Sequence, residues 1–371
     1  MNEAQTLLSA IQARLDEFCL GQKNSFAQIS NDLDPVVTFA KELMSGGKRF
    51  RALFTYWSWV GALAGADLQQ NEEQMANSTE AIIGITAALE MFHAAALVHD
   101  DLIDQSDTRR NAPSVHKRFE SLHKTSGWAG SPERFGIAGS ILVGDLMLGW
   151  SSEMFGESLL QAPSREIEEA CRHEFSRMRI EVMAGQYLDV VEENAALTRA
   201  IDEAVGRANR VMLYKTAKYT LEAPLLIGAA FGGGSPALLR ALSAFGIPLG
   251  LAFQMRDDIL GVFGDPEVTG KPAGDDLREG KRTVLIALTR EAVNPSIGKL
   301  IDEMLTSREL DGEQIEFLQK IITESGALAK SERMIQELGD EAYSALELID
   351  IDPVAKVELR NLADKVLNRN S

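Results

Sequence analysis

The sequence predicts an all-α fold in a single domain. Helical periodicity continues through nearly the whole chain, strand alternation is nearly absent, and no Pro-, Gly- or Ser-rich linker divides the 371 residues. A chain of this length could form two or three domains. Because no boundary is visible, we assign residues 1–371 to one domain, and its 45% apolar content can supply a large core.

Each helical segment is bounded by polar residues, glycine or proline. A long apolar helix is predicted from about Thr79 to Asp104, and the stretch after it reads as loop with a short helix as far as residue 135. A break is expected near Pro224, and Ser235 is a candidate N-cap after the turn at Gly232–Pro236. The other predicted helices cover residues 3–19, 47–64, 136–156, 164–193, 198–231 and 237–263, with a loop over 264–280 and shorter helices over 281–368.

Composition narrows the classes of function. The formal net charge of −18 argues against nucleic acid as a partner and requires any site for an anion to be locally basic or filled with metal. Two cysteines, Cys19 and Cys171, make no disulfide framework and fit a reducing cytosol. The first residues lack the basic and apolar regions of a signal peptide, and no uninterrupted run of about 18 apolar residues marks a membrane span. We therefore expect a cytoplasmic protein without stable membrane insertion.

Two acidic clusters on apolar helices are the most informative feature of the chain. The first contains Asp100, Asp101 and Asp104, and the second contains Asp257 and Asp258. Carboxylates are costly in apolar surroundings unless something pairs them, and residues four apart share one helix face. Acids on facing helices would make a site for a hard cation. Mg²⁺ prefers oxygen ligands and is usually completed by substrate phosphates, so diphosphate chemistry is the first hypothesis.

Basic residues accompany both clusters. Arg109 and Arg110 follow the first cluster closely, and guanidinium groups match phosphate oxygens bidentately. A glycine turn at Gly46-Gly47 leads into Lys48-Arg49-Phe50-Arg51, a helix start that favours anions but lacks the Walker A spacing. Each feature alone is more typical of a solvated surface. Further candidate cations are Lys215, beside Thr216, and Lys271, in the loop after the second cluster.

Together these motifs resemble those of the trans-isoprenyl diphosphate synthases, the polyprenyl synthetase family. The likeness spans about residues 35–290, with the remaining residues 291–371 read as C-terminal helices. It rests on Gly46-Gly47-Lys48-Arg49-Phe50-Arg51, Asp100-Asp101-x-x-Asp104, Arg109-Arg110, Gly185-Gln186-x-x-Asp189, Lys215-Thr216, Phe253-Gln254-x-x-Asp257-Asp258 and Gly270-Lys271. The resemblance implies a helical bundle around a central apolar cavity, usually in a homodimer, and an enzyme that joins isopentenyl diphosphate head to tail to an allylic diphosphate.

The resemblance also implies roles for individual residues. Asp100, Asp101, Asp104, Lys215, Asp257 and Asp258 would be catalytic, with three Mg²⁺ ions, or Mn²⁺ in their place, held by Asp100, Asp104 and Asp257. The allylic diphosphate (dimethylallyl, geranyl or farnesyl) would bind Arg109, Lys215, Thr216, Gln254 and Lys271. Isopentenyl diphosphate would bind Lys48, Arg51, His93 and Arg110.

One departure from the family pattern concerns position 261. The second cluster of the family usually ends in a third aspartate, but here Gly261 stands there. We expect Asp265 to compensate in part and expect Gly261→Asp to be tolerated. Within the same fold, a terpene cyclase or a subunit with little activity remains open as an alternative. From a different class, a non-enzymatic helical scaffold or a di-metal carboxylate protein remains open. A cyclase needs no second diphosphate site, and the paired Glu-x-x-His motifs of the di-metal class are missing.

Product length should depend on the helix that carries the first cluster. Ala95 and Ala96 precede Asp100 by about one turn and are too small to block a growing chain, whereas Phe92 and Met91, one turn deeper, are bulky. We therefore expect mainly the twenty-carbon product, geranylgeranyl diphosphate. Farnesyl diphosphate or longer chains are the alternatives, and the small residues could instead serve close helix packing.

Overall fold

The computed structural model describes residues 3–65, 71–265, 273–307 and 310–368. Its helices confirm the predicted all-α fold. The N-terminal half contains α1 (Glu3–Ala27), α2 (Asp34–Leu43), α3 (Phe50–Leu63), α4 (Glu72–Ile103), α5 (Val115–Thr125), α6 (Pro132–Leu159) and α7 (Arg165–Ala195). Short 3₁₀ turns cover Asn31–Leu33, Ala196–Thr198 and Ile201–Glu203.

The C-terminal half begins with one uninterrupted helical run. It consists of α8 (Ala204–Val211), a π-helical segment (Met212–Glu222) and α9 (Ala223–Phe231). The helices that follow are α10 (Pro236–Phe263), α11 (Asp275–Arg278), α12 (Val284–Ala292), α13 (Pro295–Ser307), α14 (Gly312–Glu324), α15 (Ala327–Glu347) and α16 (Pro353–Leu367).

The long helices begin at side-chain caps. Asn71 starts α4 with a reciprocal capping box. The Asn71 side chain accepts from the backbone N–H of Gln74 at 2.9 Å, and the Gln74 side chain accepts from the backbone N–H of Asn71 at 3.0 Å. Ser235 caps α10 as predicted, accepting from Leu238 N–H at 3.2 Å. These caps fix where the helices that carry the two acidic clusters begin.

Two boundaries differ from the prediction. The break expected near Pro224 is absent. Pro224 has no backbone N–H to donate, but the helix continues because the residues before it are π-helical, and Ala223 donates to the carbonyl of Lys218, five residues earlier. The short helix expected within residues 105–135 is present as α5, but the loop before it also contains a short antiparallel hairpin that was not predicted, in which Thr108–Arg109 pairs with Ala112–Pro113. The hairpin turns through Arg110 and Asn111, which both have positive φ.

The apolar core forms two connected regions. The larger lies among α1–α7, the π-helical segment, α9, the first half of α10, the end of α15 and α16, and the smaller joins the second half of α10 to α12–α15. Small residues let α4 and α6 approach closely: a side chain at Gly84 would collide with Ser158, and Ser151 donates to the carbonyl of Ala88 at 2.8 Å. The acidic end of α4 is thereby held at one end of the bundle.

In the part of the chain that the structure describes, three helices, α4, α6 and α10, are long and apolar enough to cross a membrane by length and composition alone. In the structure 72% of the most apolar stretch of α4 is buried inside the bundle, against 39% for α6 and 39% for α10. Absence of membrane insertion therefore remains a prediction from the sequence.

Candidate active site

A cavity of about 860 Å³ lies between α4, α7, the π-helical segment and α10. Both acidic clusters reach it, Asp100 from α4 and Asp257 and Asp258 from α10. Its lining also includes apolar side chains, among them Ala96, Leu97, Ile141, Val182, Met183 and Phe253. Charged and apolar side chains therefore line the same cavity.

Asp100 is the centre of the first cluster. Its Oδ1 accepts from Gln186 Nε2 at 3.1 Å and lies 3.3 Å from Lys215 Nζ, which also contacts Asp189 Oδ2 at 2.5 Å. Burial alone would raise the pKa of Asp100, but the charges of Lys215, Lys281 and Arg109 hold it well below its usual range. The carboxylate is therefore ionised and fixed in direction.

Asp101 and Asp104 differ from Asp100 in their surroundings. Asp101 is 1% exposed, lies behind the cavity wall and accepts from Arg109 Nε at 2.8 Å, so its contact is with the arginine that faces the cavity. Asp104 ends α4, 3.4 Å from Lys281 Nζ, and burial together with the charge of Asp100 raises its pKa to about 6. Of the three predicted acids, only Asp100 lines the cavity.

The two acids of the second cluster, Asp257 and Asp258, differ in their surroundings. Gln254 Nε2 donates to Asp258 Oδ1 at 2.7 Å, and burial together with the charge of Asp276 raises the pKa of Asp258 to about 8. Asp257 lines the cavity beside them. Gln254, predicted to hold the allylic diphosphate, contacts a carboxylate of its own helix in this structure.

An acid from another element fills the space beside Gly261. A Cβ atom placed on Gly261 would lie 2.0 Å from Oδ2 of Asp276, which begins α11 with Asp275. Asp265, expected to compensate for the missing aspartate, is exposed and does not line the cavity, so that expectation is wrong. A side chain at 261 would require the end of the Asp276 side chain to move, and the tolerance of Gly261→Asp stays a prediction.

A second polar cluster lies toward the start of α3. The Arg51 guanidinium lies 4.3 Å above the Tyr219 ring, and its Nη2 donates to Thr220 Oγ1 at 2.7 Å. The Tyr219 hydroxyl is 2.9 Å from Nδ1 of His93. Burial and the charges of Arg51 and Arg110 lower the pKa of His93 well below its usual value, so the imidazole is neutral at physiological pH.

Arg110 connects this cluster to the glycine turn. Its Nη1 donates to the carbonyl of Leu43 at 3.1 Å, and a Cβ atom on Gly47, where φ is +93°, would lie 3.0 Å from its Nη2. Only glycine combines this backbone with the close approach of the guanidinium. Lys48 is exposed and does not line the cavity, and Lys271 lies outside the described residues.

A magnesium site fits the donors that face the cavity. They are carboxylate oxygens on two helices, the ligands Mg²⁺ prefers. Among the described residues no three His, Cys, Asp or Glu side chains converge on one metal-sized point. An ion there would need oxygens from a bound diphosphate to complete its coordination.

Comparison with known proteins assigns the family. The model of the polyprenyl synthetase family matches residues 35–322. The chain belongs to the polyprenyl synthetase family. It is a trans-prenyltransferase, because the family and the similar proteins of known activity are isoprenyl diphosphate synthases.

The similar proteins agree on fold and reaction class but name different products. A geranylgeranyl pyrophosphate synthase from Corynebacterium glutamicum, solved with isoprenyl diphosphate and magnesium, is 37% identical over 98% of both chains with a TM-score of 0.89. A geranylfarnesyl diphosphate synthase from Aeropyrum pernix is 30% identical over 88% of this chain and 92% of its own. A (2E,6E)-farnesyl diphosphate synthase from Mycobacterium tuberculosis is 31% identical over 76% and 72%.

The residues predicted to set product length separate into two groups. Ala96 lines the cavity of this polyprenyl synthetase family member, whereas Ala95, Met91 and Phe92 are at most 1% exposed and lie in the core outside its wall. Phe92 packs edge-on against Tyr219, with ring centres 5.9 Å apart. The bulky side chain that meets the cavity on this side is therefore Tyr219, with Phe92 behind it.

Sequence reasoning missed four residues of the site: Asp189, Tyr219, Asp276 and Lys281. Asp189 entered only as part of the motif Gly185-Gln186-x-x-Asp189, without a role of its own, and in the structure it contacts Lys215. The Nζ of Lys281 lies 3.4 Å from Asp104 and 3.5 Å from Asp276. Contacts between elements distant in the chain define these roles, so no local pattern could have revealed them.

Proposed function

We propose that this enzyme condenses isopentenyl diphosphate with an allylic diphosphate in a Mg²⁺-dependent reaction, and that geranylgeranyl diphosphate is its main product. The observation that carries the proposal is the presence of two separate anion-binding clusters on one cavity. One is formed around Lys215 and Arg109 beside the acids, and the other by Arg51, His93 and Arg110. A terpene cyclase has no use for the second cluster.

The acidic end is suited to the allylic diphosphate. Lys215 and Arg109 are held by Asp189 and Asp101 respectively, so both cations are oriented before substrate arrives. Bound Mg²⁺, proposed as three ions or Mn²⁺ in their place, would neutralise the diphosphate and make it a better leaving group. Asp100, Asp104 and Asp257 would hold these ions, and Thr216, Gln254 and Lys271 would complete the pocket.

The second cluster is suited to isopentenyl diphosphate. Arg51 and Arg110 supply fixed positive charge, and neutral His93 can donate a hydrogen bond without adding charge. Lys48 would join them from the exposed start of α3. Held there, the isopentenyl double bond would face the allylic carbon across the cavity.

The reaction then breaks one bond and forms another. The allylic carbon–oxygen bond breaks and the diphosphate leaves with the electron pair. The isopentenyl double bond attacks the allylic cation, a carbon–carbon bond forms, and a proton leaves the isopentenyl unit to restore a double bond. We assign that proton to the released diphosphate. The apolar walls at Ala96, Val182 and Phe253 exclude water from the cation.

Support for a twenty-carbon product comes from Ala96, which leaves the wall open one turn before Asp100, and from the Corynebacterium glutamicum neighbour. Farnesyl diphosphate and longer chains are the alternatives, since relatives at about 30% identity carry both kinds of name. Incubation with isopentenyl diphosphate, Mg²⁺ and dimethylallyl, geranyl or farnesyl diphosphate in turn, with products resolved by chromatography, tests the proposal. No condensation with any primer would refute it.

We further propose that the enzyme is a homodimer. Large apolar side chains are exposed on α6 and α7, including Ile141 (43%), Leu142 (61%), Ile180 (67%) and Tyr187 (70%). Several large exposed apolar side chains on two helices are typical of a subunit interface. Light scattering of the wild type and of Leu142→Glu should give a dimer and a smaller species respectively. A cytoplasmic location and the absence of nucleic-acid partners remain predictions from the sequence.

A further inference from the structure

A single hairpin supplies one arginine to each anion-binding cluster. Arg109 ends its first strand and donates from Nε to Oδ1 of Asp101, in the first acidic cluster, at 2.8 Å. Arg110 lies in its turn and donates from Nη1 to the carbonyl of Leu43 at 3.1 Å, beside the glycine turn. Both arginines line the cavity. The orientation of this one hairpin therefore sets the position of a cation in each of the two clusters.

The turn of the hairpin has an unfavourable backbone. Its two central residues, Arg110 and Asn111, have φ of 52° and 60°, which is the left-handed conformation that a two-residue hairpin turn of this kind requires. Asparagine visits this region with little difficulty, but for an arginine it is costly. Such a backbone persists only where the surrounding structure holds it. Contacts at the base of the hairpin are therefore needed to keep Arg110 in place.

His116 fastens that base. Asp107 precedes the first strand and Ser114 follows the second, and the backbone N–H of Ser114 donates to the carbonyl of Asp107 at 3.0 Å. The imidazole lies across this pair, with Nδ1 3.1 Å from Ser114 Oγ and Nε2 3.8 Å from Asp107 Oδ1. The carboxylate favours the tautomer with its proton on Nε2, so the Ser114 hydroxyl donates to Nδ1. One side chain thus links the two ends of the hairpin.

His116 is itself held against the bundle. It lies in the first turn of α5 and is 8% exposed. Its carbonyl packs so closely on α6 that a Cβ atom on Gly136 would lie 2.4 Å from the oxygen. The residue does not line the cavity. It therefore joins the hairpin to a long core helix without a contact to substrate.

We propose that His116 is a positioning residue for both diphosphate subsites, acting through the hairpin that carries Arg109 and Arg110. This inference rests on the proposed function. Without the imidazole the hairpin gains freedom, and both guanidinium groups lose their fixed orientation. Small displacements of an oriented binding group reduce its effect steeply. Affinity for both diphosphates should therefore fall together, in contrast to a change at Tyr219, which supports only the isopentenyl diphosphate cluster.

The competing explanation is that His116 only stabilises the start of α5. His123 provides the matched control, because it is a second histidine on the same helix, two turns further along, and is 4% exposed. Its Nε2 lies 3.2 Å from the carbonyl of Ala129, which follows α5 rather than preceding it. A purely stabilising role predicts that the same substitution has the same kinetic effect at both positions.

Steady-state kinetics of the full-length enzyme, with one substrate varied at a time, test the proposal. We expect His116→Phe to raise the KM for isopentenyl diphosphate and the KM for the allylic diphosphate at least about 5-fold each. His123→Phe should leave both near wild type, and His116→Asn, whose amide can still contact Ser114, should recover much of the loss. Unchanged KM values in His116→Phe, a rise for one substrate alone, or equal rises in the two Phe variants would overturn the assignment.

A milder variant keeps the test decisive if His116→Phe does not fold. Ser114→Ala removes only the hydroxyl that contacts the imidazole, and this hydroxyl caps no backbone N–H of α5. Both KM values should rise about 3-fold, as expected for one lost hydrogen bond. No change in either KM, with the thermal unfolding curve of wild type, would count against the assignment.

A double-mutant cycle identifies the route of the effect. In an Arg110→Gln background, His116→Phe should no longer raise the KM for isopentenyl diphosphate but should still raise that for the allylic substrate, because Arg109 remains. Additive effects on both substrates would show that His116 does not act through the arginines. A wild type without condensation activity would refute the proposed function itself. An active wild type with unaffected variants would refute only the role of His116.

Discussion

The Asp276 carboxylate lies 2.0 Å from where a Cβ atom on Gly261 would be, so even the smallest side chain at 261 must move it. We predict that Gly261→Ala raises the Mg²⁺ concentration for half-maximal activity about 10-fold, although alanine is the better helix former by about 1 kcal/mol. Titration of activity with Mg²⁺ measures this. The control is Gly149→Ala on α6, where a Cβ atom meets nothing within 4 Å. Identical Mg²⁺ curves for both variants would contradict the prediction.

The acids on the two sides of the cavity should be required for turnover. Asp100→Asn and Asp257→Asn keep the side-chain volume but remove the charge, and each should lower kcat by about 10²-fold or more, because stabilisation of the developing charge on the leaving group is lost. Steady-state kinetics at saturating Mg²⁺ measure the effect. The control is Asp202→Asn, an exposed acid away from the cavity. Near-normal kcat in both site variants, with folding intact, would end the metal-assisted model.

Much of the fold could be predicted because its signals are local. The helical period, the cap at Ser235 and the apolar run before Asp100 each lie within one segment, and the structure bears them out. The break at Pro224 was wrongly expected, because a π-helical segment can absorb a missing N–H without ending the helix. The π-helical segment also carries Lys215 and packs directly on α7. A Cβ atom on Gly185 of α7 would lie 2.3 Å from the backbone N of Lys215.

The site was predictable only in part, for a related reason. Motif spacing indicated which residues carry charge, but not which of them face the cavity. Asp101 and Asp100 are adjacent in sequence, yet one lies behind the wall with Arg109 and the other lines it. Asp276 and Gly261 are separated by the loop after α10, so their contact is a property of the fold and not of either motif.

Tyr219 should act through the residues it orders. Its hydroxyl contacts His93 and its ring supports Arg51, both proposed to bind isopentenyl diphosphate. We predict that Tyr219→Phe raises the KM for isopentenyl diphosphate several-fold, in line with loss of a hydrogen bond of about 1 kcal/mol, and leaves the KM for the allylic substrate unchanged. Kinetics with one substrate varied at a time decide. An equal rise in both KM values would show that the two subsites are wrongly assigned.

Half-buried His93 should make the protein less stable in mild acid. Its folded pKa lies well below 6.5, so below that pH the unfolded chain binds a proton that the folded chain does not, and stability falls as pH falls. Between pH 7.5 and 5.5 this costs about 1.4 kcal/mol for one such histidine. We predict that His93→Gln loses correspondingly less free energy of unfolding than wild type over this range. Urea melts at both pH values measure it, and parallel losses would refute the prediction.

Product length should respond to Ala96 and not to its neighbour. Ala96 lines the cavity one turn before Asp100, so Ala96→Tyr should place a ring in the path of the growing chain and shift the product toward fifteen carbons. Ala95 is fully buried in the core, where the same substitution would overpack it and cost about 1–3 kcal/mol of stability without entering the cavity.

Phe92→Ala tests the same prediction in the opposite direction, toward a longer product. It removes the ring behind Tyr219, and the product should lengthen if Tyr219 can move into the space, at a cost of about 3–5 kcal/mol of stability. Chromatography of the products from dimethylallyl diphosphate, with thermal unfolding as the measure of stability, distinguishes the three variants. If Ala96→Tyr folds and still gives the wild-type distribution, the chain grows along another wall. The candidates are then Ile141 and Met183, which line the cavity and are 43% and 42% exposed at the proposed subunit interface.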